Sequence, residues 1–197
     1  MRLEIGPGYH PSIAGEDVIY IDRKALPYPR AIVRDLQELP LPFPDNYFDE
    51  IHAYQVLEHV PALGPLMDEL HRLLKPDGLL MLGVPHIRFE YRVGPWIDHV
   101  HHFSENTFRM LETDTCTKQW KVVCMNTHRE RLLAYEITKP GRILKDVRLR
   151  RLAWCVLNFW KLNREISLYV ELRPNKPGLD MQPFNIAHRC EEGGWGR

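Results

Sequence analysis

LEIGPGYHPS, residues 3–12, ends a short apolar run with two glycines, Gly6 and Gly8, on either side of a proline. Glycines at this spacing allow a backbone to turn sharply and to approach a ligand closely. A dinucleotide-binding loop would read G-x-G-x-x-G, whereas the sixth position here is Pro11. The stretch by itself therefore indicates either a cofactor loop after a first strand or a tight turn.

Outward from this loop, short strand-like runs alternate with a helical pattern. Leucines recur at helical spacing between Leu63 and Leu74, and the turn residues Pro76–Gly78 predict the end of that helix. The predicted strands of this half are Arg2–Ile5, Asp17–Ile21, Ala31–Val33, Glu50–Tyr54 and Leu79–Val84. This alternation predicts an α/β domain of three layers, with a parallel sheet covered on both faces.

The second half is less regular but carries a helix start and two strands. Ser104 fits the N-cap position of a helix, and Phe103 and Phe108 fit the two positions of a hydrophobic staple. The runs WKVVCMN (120–126) and ISLYVEL (166–172) predict two further strands that pair antiparallel at the sheet edge.

Length and charge limit the classes of protein that fit. The 197 residues suit one domain, predicted over residues 1–174, followed by an irregular tail over residues 175–197. Lys plus Arg and Asp plus Glu are both 26, so the overall charge favours neither nucleic acid nor an anionic membrane as a partner. The longest apolar runs are too short to cross a bilayer.

The cysteines indicate a reducing compartment. The four are scattered without a C-x-x-C pair, and no signal peptide precedes Met1. We therefore expect a soluble cytoplasmic protein with reduced thiols and with neither a disulfide nor a structural zinc ion.

Three acidic residues narrow the ligand of the first loop. Glu4 stands two positions before the first glycine, where a carboxylate would repel a pyrophosphate and would suit a cationic amino group. Asp22 closes the second strand, where a carboxylate can accept both hydroxyls of a ribose. Asp35 follows the third strand. Either aspartate could instead serve only in a local turn.

Four segments between Leu3 and Pro85 resemble, in unbroken order, the class I S-adenosylmethionine-dependent methyltransferases, in particular the group with an LPFPDNSFD-like and a VLEH segment. They are LEIGPG, VIYIDR, VRDLQELPLPFPDNYFDEIHAYQVLEHV and LHRLLKPDGLLMLGVP. The resemblance implies a Rossmann-like, doubly wound sheet of seven strands, mostly parallel with one antiparallel strand near the edge. It also implies S-adenosylmethionine as cofactor and S-adenosylhomocysteine as product.

The same resemblance assigns eight residues to the cofactor. Around the methionine and sulfonium end it places Glu4, Gly6, Gly8 and Gln55. Around the adenosine it places Asp22 at the ribose hydroxyls, Arg23 beside the adenine, Asp35 at the adenine amino group, and Leu36 against the ring. The third glycine of the family loop is missing, as are helices before the first strand. We therefore expect an open pocket, or one covered by a partner, a second subunit such as a homodimer mate, or the C-terminal tail.

Histidines after the fifth strand are the candidate bases. Residues that follow this strand leave the sheet on its ligand side, and we expect His86 and His102 to be the catalytic candidates. Three histidines of this segment, which contains His99, His101 and His102, could instead bind a metal together with an aspartate, but packing and capping are the expectation, so no metal site is predicted.

The cation-rich segment of residues 139–164 is the other functional candidate. Its arginines, lysines and tryptophans could contact a nucleic acid, although helices packed on the core explain the pattern better. The expected function is methyl transfer to a small-molecule or sugar-like hydroxyl or amine. The alternatives are a nucleic-acid or protein methyltransferase that uses this segment, and a cofactor-binding subunit without activity of its own.

Overall fold

The computed structural model describes residues 1–88, 90, 97–113, 120–130 and 165–176. The α-helices whose bounds are described are α1 (Leu63–Leu73) and α2 (Glu105–Thr113), and a short 3-10 helix, Leu57–His59, precedes α1. The strands are β1 (Arg2–Ile5), β2 (Val18–Asp22), β3 (Ala31–Val33), β4 (Phe48–Tyr54), β5 (Leu74–Pro85), β6 (Trp120–Glu130) and β7 (Glu165–Pro174). They form one sheet in the order β3-β2-β1-β4-β5-β7-β6.

The strand directions confirm the predicted sheet. β1 pairs in parallel with both β2 and β4, and the outer pairs β2–β3 and β4–β5 are also parallel. β7 is antiparallel to both of its neighbours, β5 and β6. The chain first moves outward from β1 to β3 and then returns to place β4 on the other side of β1. The strand order thus reverses between β1 and β4, and in such sheets this reversal opens a crevice at the carboxyl ends of the strands.

Burial along β1 shows why this strand is central. Leu3, Glu4 and Ile5 are each at most 1% exposed, although successive side chains of a strand point to opposite faces. Both faces of the sheet are therefore covered at β1, as expected for a parallel sheet. Leu80, Leu82 and Val84 of β5 are equally buried and extend the core under β4.

The end of α1 differs from the prediction. The helix ends at Leu73 and β5 begins at Leu74, so Pro76–Gly78 lies within the span of the strand rather than before it. Leu74 is fully buried and pairs with Phe48, and the ladder then shifts register before Glu50 pairs with Leu79. The burial of Leu74 keeps the chain paired with β4, so the proline-containing turn becomes a bulge in β5.

The start of α2 confirms the predicted helix signal. Phe103 and Phe108 stack with their ring centroids 5.7 Å apart, and both are 2% exposed. The amide of Ser104, directly before the helix, donates to Thr107 Oγ1 at 3.1 Å, and the Thr107 amide donates to the Ser104 carbonyl. The Thr107 side chain therefore caps the Ser104 amide, while the Thr107 amide forms a backbone bond of the first turn.

One cysteine contradicts the expectation of four reduced thiols. Cys124, on β6, is disulfide-bonded. The other three cysteines lie outside the described residues. The spacing of cysteines along a chain does not show which of them meet, because pairing depends on how the folded elements approach one another.

Two further predictions concern parts of the chain that the structure does not describe. Residues 139–164 lie outside the described residues, as does all of the predicted tail beyond residue 176. The domain boundary at residue 174 therefore stays a prediction. Neither α1 nor α2 has the length and apolar character needed to cross a bilayer.

Arg72, near the end of α1, ties the helix to the loop before β4, and its replacement tests this connection. Its guanidinium binds both oxygens of the Glu69 carboxylate, at 2.8 and 2.6 Å, and also Asp45 and the Phe43 carbonyl. Arg72→Lys keeps the charge but loses this fork, so we expect the free energy of unfolding in urea to fall by about 2 kcal/mol.

Arg2→Lys is the matched control for Arg72→Lys. Arg2 also binds a carboxylate with two nitrogens, but that carboxylate, Asp17, is 50% exposed, against 8% for Glu69. We expect a loss below about 1 kcal/mol for the control. Arg72 lowers the pKa of Glu69, so the pair stabilises the fold at neutral pH and its contribution is lost as the pH falls through that lowered value. Equal losses for both variants, or an excess loss in Arg72→Lys that does not shrink as the pH falls, would contradict the assignment.

Candidate functional site

The loop after β1 has the backbone shape that its glycines predicted. Gly6 and Gly8 have φ angles of 63° and 56°, in the left-handed region that side chains disfavour. A Cβ on Gly6 would lie 2.5 Å from Val56 Cγ2, whereas a Cβ on Gly8 would meet nothing within 4 Å. The Gly6 amide donates to the Ile21 carbonyl at 2.7 Å. Gly6 is therefore required by packing between two strand ends, and Gly8 by its backbone conformation alone.

Glu4 lies beneath this loop and holds it in place. Its two carboxylate oxygens accept the backbone amides of Ser12, at 2.8 Å, and Ile13, at 3.2 Å. Burial raises the pKa of Glu4, and the two amide bonds oppose that rise. The carboxylate thus fixes the far end of the loop, and the residue is not part of the cavity wall described next.

A cavity of about 340 Å³ opens at the carboxyl ends of β1, β2 and β4, at the strand-order reversal. Its wall contains seven of the eight residues that the resemblance assigned to the cofactor: Gly6, Gly8, Asp22, Arg23, Asp35, Leu36 and Gln55. Four strand ends separated by up to 50 positions in the sequence contribute to this group. The structure therefore brings together every predicted cofactor residue except Glu4.

The two aspartates of the cavity are each positioned by one or two backbone amides. Asp22 Oδ2 accepts the Gly8 amide at 3.1 Å, and Oδ1 accepts the Lys24 amide at 2.9 Å. Asp35 Oδ1 accepts the Gln37 amide at 2.9 Å. Each carboxylate oxygen has a second lone pair, so both side chains can still accept hydrogen bonds from a ligand.

Gln55 occupies a conformation that few non-glycine residues adopt. It directly follows β4, has a φ of 55°, and donates its amide to the Gly83 carbonyl at 2.7 Å. Such strain persists where the surrounding structure fixes it, and it occurs often at ligand sites. Here the turn brings Gln55 and Val56 to the cavity, and Val56 also packs against Gly6.

Sequence reasoning did not assign the other wall residues to the cofactor. Six of the ten are directly adjacent in sequence to a predicted site residue, so their neighbours were the only available signal. They are Tyr9, Ile21, Lys24, Leu26, Arg34, Gln37, Val56, His59, Val60 and Asp98. Asp98 is distant in sequence from all the others and could not have been found from a strand end.

His86 lies outside the cavity wall and is fully engaged in the fold. It is 2% exposed, its Nδ1 accepts the Arg88 amide at 3.0 Å, and its Nε2 lies 2.9 Å from Glu105 Oε2. Because Nδ1 accepts a hydrogen bond, the ring proton lies on Nε2 and is donated to Glu105. His86 thus connects the end of β5 to the first residue of α2.

His102 also lies outside the cavity wall, in a group organised by a buried carboxylate. Glu90, 2% exposed, places Oε2 at 2.7 Å from His102 Nδ1 and Oε1 at 2.6 Å from His99 Nδ1. His59, in contrast, belongs to the wall, and its Nδ1 lies 3.2 Å from the Asp98 carbonyl oxygen. Of the histidines in this region, the structure therefore brings His59 to the cavity, rather than the two predicted bases.

Glu58, next to His59, is buried without a hydrogen-bond donor among the described residues. The residue is 0% exposed, and neither carboxylate oxygen accepts a hydrogen bond there. Burial raises the pKa of Glu58 to about 7.

Comparison with known proteins agrees with this geometry. The profile of the methyltransferase domain family matches residues 14–82. The YcgJ protein of Bacillus subtilis superposes with a TM-score of 0.56 at 15% identity, over 90% of this chain and 92% of that one. A coclaurine N-methyltransferase bound to N-methylheliamine and S-adenosylhomocysteine superposes with a TM-score of 0.55 at 14% identity, over 87% of this chain and 65% of that one.

The chain has the class I methyltransferase fold. The resemblance seen in the four sequence segments is thereby confirmed. A sterol 24-C-methyltransferase of Gibberella zeae is 42% identical over 41 residues, which are 21% of this chain. That match spans only 11% of the sterol enzyme, so the similarity of this methyltransferase fold to curated relatives is local.

A pair of glycine substitutions tests the geometry of the first loop. Gly6→Ala adds a Cβ that combines a disfavoured φ with a clash against Val56, so we expect a loss of about 2 to 4 kcal/mol in the free energy of unfolding. Gly8→Ala has the same φ without the clash, so we expect about 1 kcal/mol. Urea unfolding of both variants measures the difference.

Val56→Ala provides the control for the glycine pair. Removing the two methyl groups that the new Cβ would meet should restore part of the stability of Gly6→Ala and none of that of Gly8→Ala. Equal losses for the two glycine variants would show that the contact with Val56 is not what requires Gly6.

Proposed function

We propose that this chain is an S-adenosylmethionine-dependent methyltransferase that acts on a small-molecule acceptor. The observation that carries the proposal is the convergence of Gly6, Gly8, Asp22, Asp35 and Gln55 on one cavity at the strand-order reversal. S-adenosylmethionine would supply a methyl group on a cationic sulfur, which leaves as a neutral thioether when the acceptor takes the methyl group. The acceptor loses a proton in the same transfer if it is a hydroxyl.

The adenosine half would bind between the ends of β2 and β3. Asp22 accepts the ribose hydroxyls, since its carboxylate is held by two backbone amides and retains acceptor capacity. Asp35 accepts from the adenine amino group, and Leu36 and Arg23 lie beside the ring. A neutral base and a diol need these acceptors and no phosphate-binding loop.

The methionine half would bind between Gly8 and Gln55. Gly8 has open space where a side chain would stand, so the backbone there can approach a ligand closely. Glu4 supports this half from below by fixing the loop through Ser12 and Ile13. We assign Glu4 a positioning role rather than a direct bond to the cofactor.

The acceptor would approach from the wall that contains His59, Val60 and Asp98. This wall lies on the side of Gln55, where the methyl group would be presented. Transfer from an activated sulfur depends mainly on alignment and exclusion of water, so positioning residues can supply most of the catalysis. Because His86 donates and accepts hydrogen bonds within the fold, we give it no proton-transfer role, and His102 contacts Glu90 rather than the cavity.

Several observations favour a small molecule as acceptor. A cavity of about 340 Å³ is at the lower end of the range for small-ligand sites, about 300 to 1,000 Å³. The formal net charge is zero, which provides no general attraction to nucleic acid. Two of the similar proteins, the sterol 24-C-methyltransferase and the coclaurine N-methyltransferase, are named after small molecules.

Asp22→Ala tests the cofactor site. Loss of a charged acceptor for the ribose hydroxyls should weaken S-adenosylhomocysteine binding by about 1.5 to 3 kcal/mol, roughly 10- to 150-fold in Kd, as measured by calorimetry. Asp17→Ala is the control, because Asp17 pairs with Arg2 outside the cavity. Unchanged affinity in Asp22→Ala, or an equal loss in the control, would remove Asp22 from the cofactor site.

A labelled-methyl screen tests the acceptor class. The protein is incubated with methyl-labelled S-adenosylmethionine and separate pools of small metabolites, RNA and protein. We expect the label in the small-metabolite pool, and we expect Asp22→Ala to reduce it. Label in the RNA or protein pool would overturn the acceptor class, while binding of S-adenosylhomocysteine without any transfer would favour a cofactor-binding subunit.

A further inference from the structure

Glu58 is a fully buried acidic residue that has no role in the proposed function. Its side chain is fully buried and no donor reaches its carboxylate in the described part of the chain. An ionised carboxylate in such a place is unfavourable unless a cation or a set of donors compensates it. The buried oxygens therefore indicate a positively charged partner at this position.

Two histidines face the same point. One potential ligand atom from each of Glu58, His59 and His99 lies within 4.8 Å of the other two. His59 Nε2 is 3.9 Å from Glu58 Oε1, and the rings of His59 and His99 meet edge to face with centroids 4.8 Å apart. Ligands about 2.1 Å from one ion are roughly 3.4 Å apart in a tetrahedral site, so small side-chain rotations would close the group around an ion.

Both histidine rings are already oriented by a second partner. His59 Nδ1 donates to the Asp98 carbonyl at 3.2 Å, which leaves Nε2 as the nitrogen that faces Glu58. His99 Nδ1 lies 2.6 Å from Glu90 Oε1, a buried carboxylate. Histidine ligands of metals commonly have their other ring nitrogen bonded to a carbonyl or carboxylate in this way.

The backbone connects the two segments that carry these ligands. The Glu58 carbonyl accepts the amides of Val100, at 2.8 Å, and His101, at 3.3 Å. Residues about 40 positions apart are thus fixed next to one another without the help of their side chains. The arrangement does not depend on the ligand groups themselves, so it is present before any ion binds.

We propose that Glu58, His59 and His99 bind one divalent transition-metal ion, of the Zn²⁺, Mn²⁺ or Fe²⁺ type, at the wall of the cavity. Two imidazoles and one carboxylate suit these ions and leave coordination positions open. His59 is part of the wall, so an ion bound to it lies on the acceptor side. If the proposed function holds, the ion would bind an acceptor oxygen and lower its pKa. Such a site would give His99 a ligand role in place of the packing or capping role expected from the sequence.

Titration with Co²⁺, which reports histidine and carboxylate ligation by its visible absorption, tests the site. The wild-type protein should bind one Co²⁺ per chain, and Glu58→Gln and His99→Gln should each weaken binding on the order of tenfold or more. His101→Gln is the matched control, because His101 is in the same segment but bonds to the Val60 carbonyl. We expect the control to bind Co²⁺ within about twofold of the wild type.

Thermal unfolding gives a second measurement that does not depend on activity. Co²⁺ should raise the Tm of the wild type and of His101→Gln, but not that of Glu58→Gln. Without metal, Glu58→Gln should unfold at or above the temperature of the wild type, because a buried unpaired charge is replaced by a neutral amide. If Glu58→Gln does not fold, His99→Gln decides the question alone.

The proposed metal site is overturned if the wild type shows neither the visible absorption of ligated Co²⁺ nor the rise in Tm with Co²⁺. It is also overturned if all variants respond equally. Calorimetry with S-adenosylhomocysteine in metal-free buffer tests the proposed function separately. Retained cofactor binding without Co²⁺ binding would reject only the metal site, and the reverse result would reject only the cofactor site.

Discussion

The parallel pairing of β1 with both β2 and β4 is the constraint on which the rest of the structure depends. Parallel neighbours must end at the same edge of the sheet, so the residues after all three strands meet there. The connection after β1 leads to β2 and the connection after β4 leads to β5, in opposite directions along the sheet, so the loops that follow these two strands diverge. The cavity lies where these strand ends meet and the loops that follow them diverge.

Close packing at that edge explains the strained backbone positions. Gly6 approaches Val56 so closely that no side chain fits, and Val56 is held there by the left-handed turn at Gln55. The loop after β1 is in turn fixed by Glu4 and by the amide of Gly8 on Asp22. Gly8, Asp22 and Gln55 are therefore each hydrogen-bonded to a residue from another strand or strand end, which favours a preformed site.

A second group of polar residues, around His59, lies beside the proposed cofactor site and differs from it in composition. Around His59 the charged groups come from the 3-10 helix, from Glu90 and from residues 97–102, and they are carboxylates and imidazoles. Burial raises the free energy of any uncompensated charge there, above all on Glu58. The carboxylates on the cofactor side of the cavity are held by backbone amides, whereas Glu58, on the acceptor side, is a buried acidic group without such partners among the described residues.

The sequence by itself determined which segments form the seven strands and where the glycine loop lies, because apolar runs and turn residues are local signals. The family resemblance predicted seven of the residues that line the cavity. Only the tertiary structure decided that Glu4 binds the loop, that Pro76–Gly78 bulges from β5, and that His86 bonds to Glu105. It alone brought His99 to Glu58. These outcomes depend on hydrogen bonds and packing between residues that are far apart in the sequence. The periodic pattern of apolar residues does not predict such contacts.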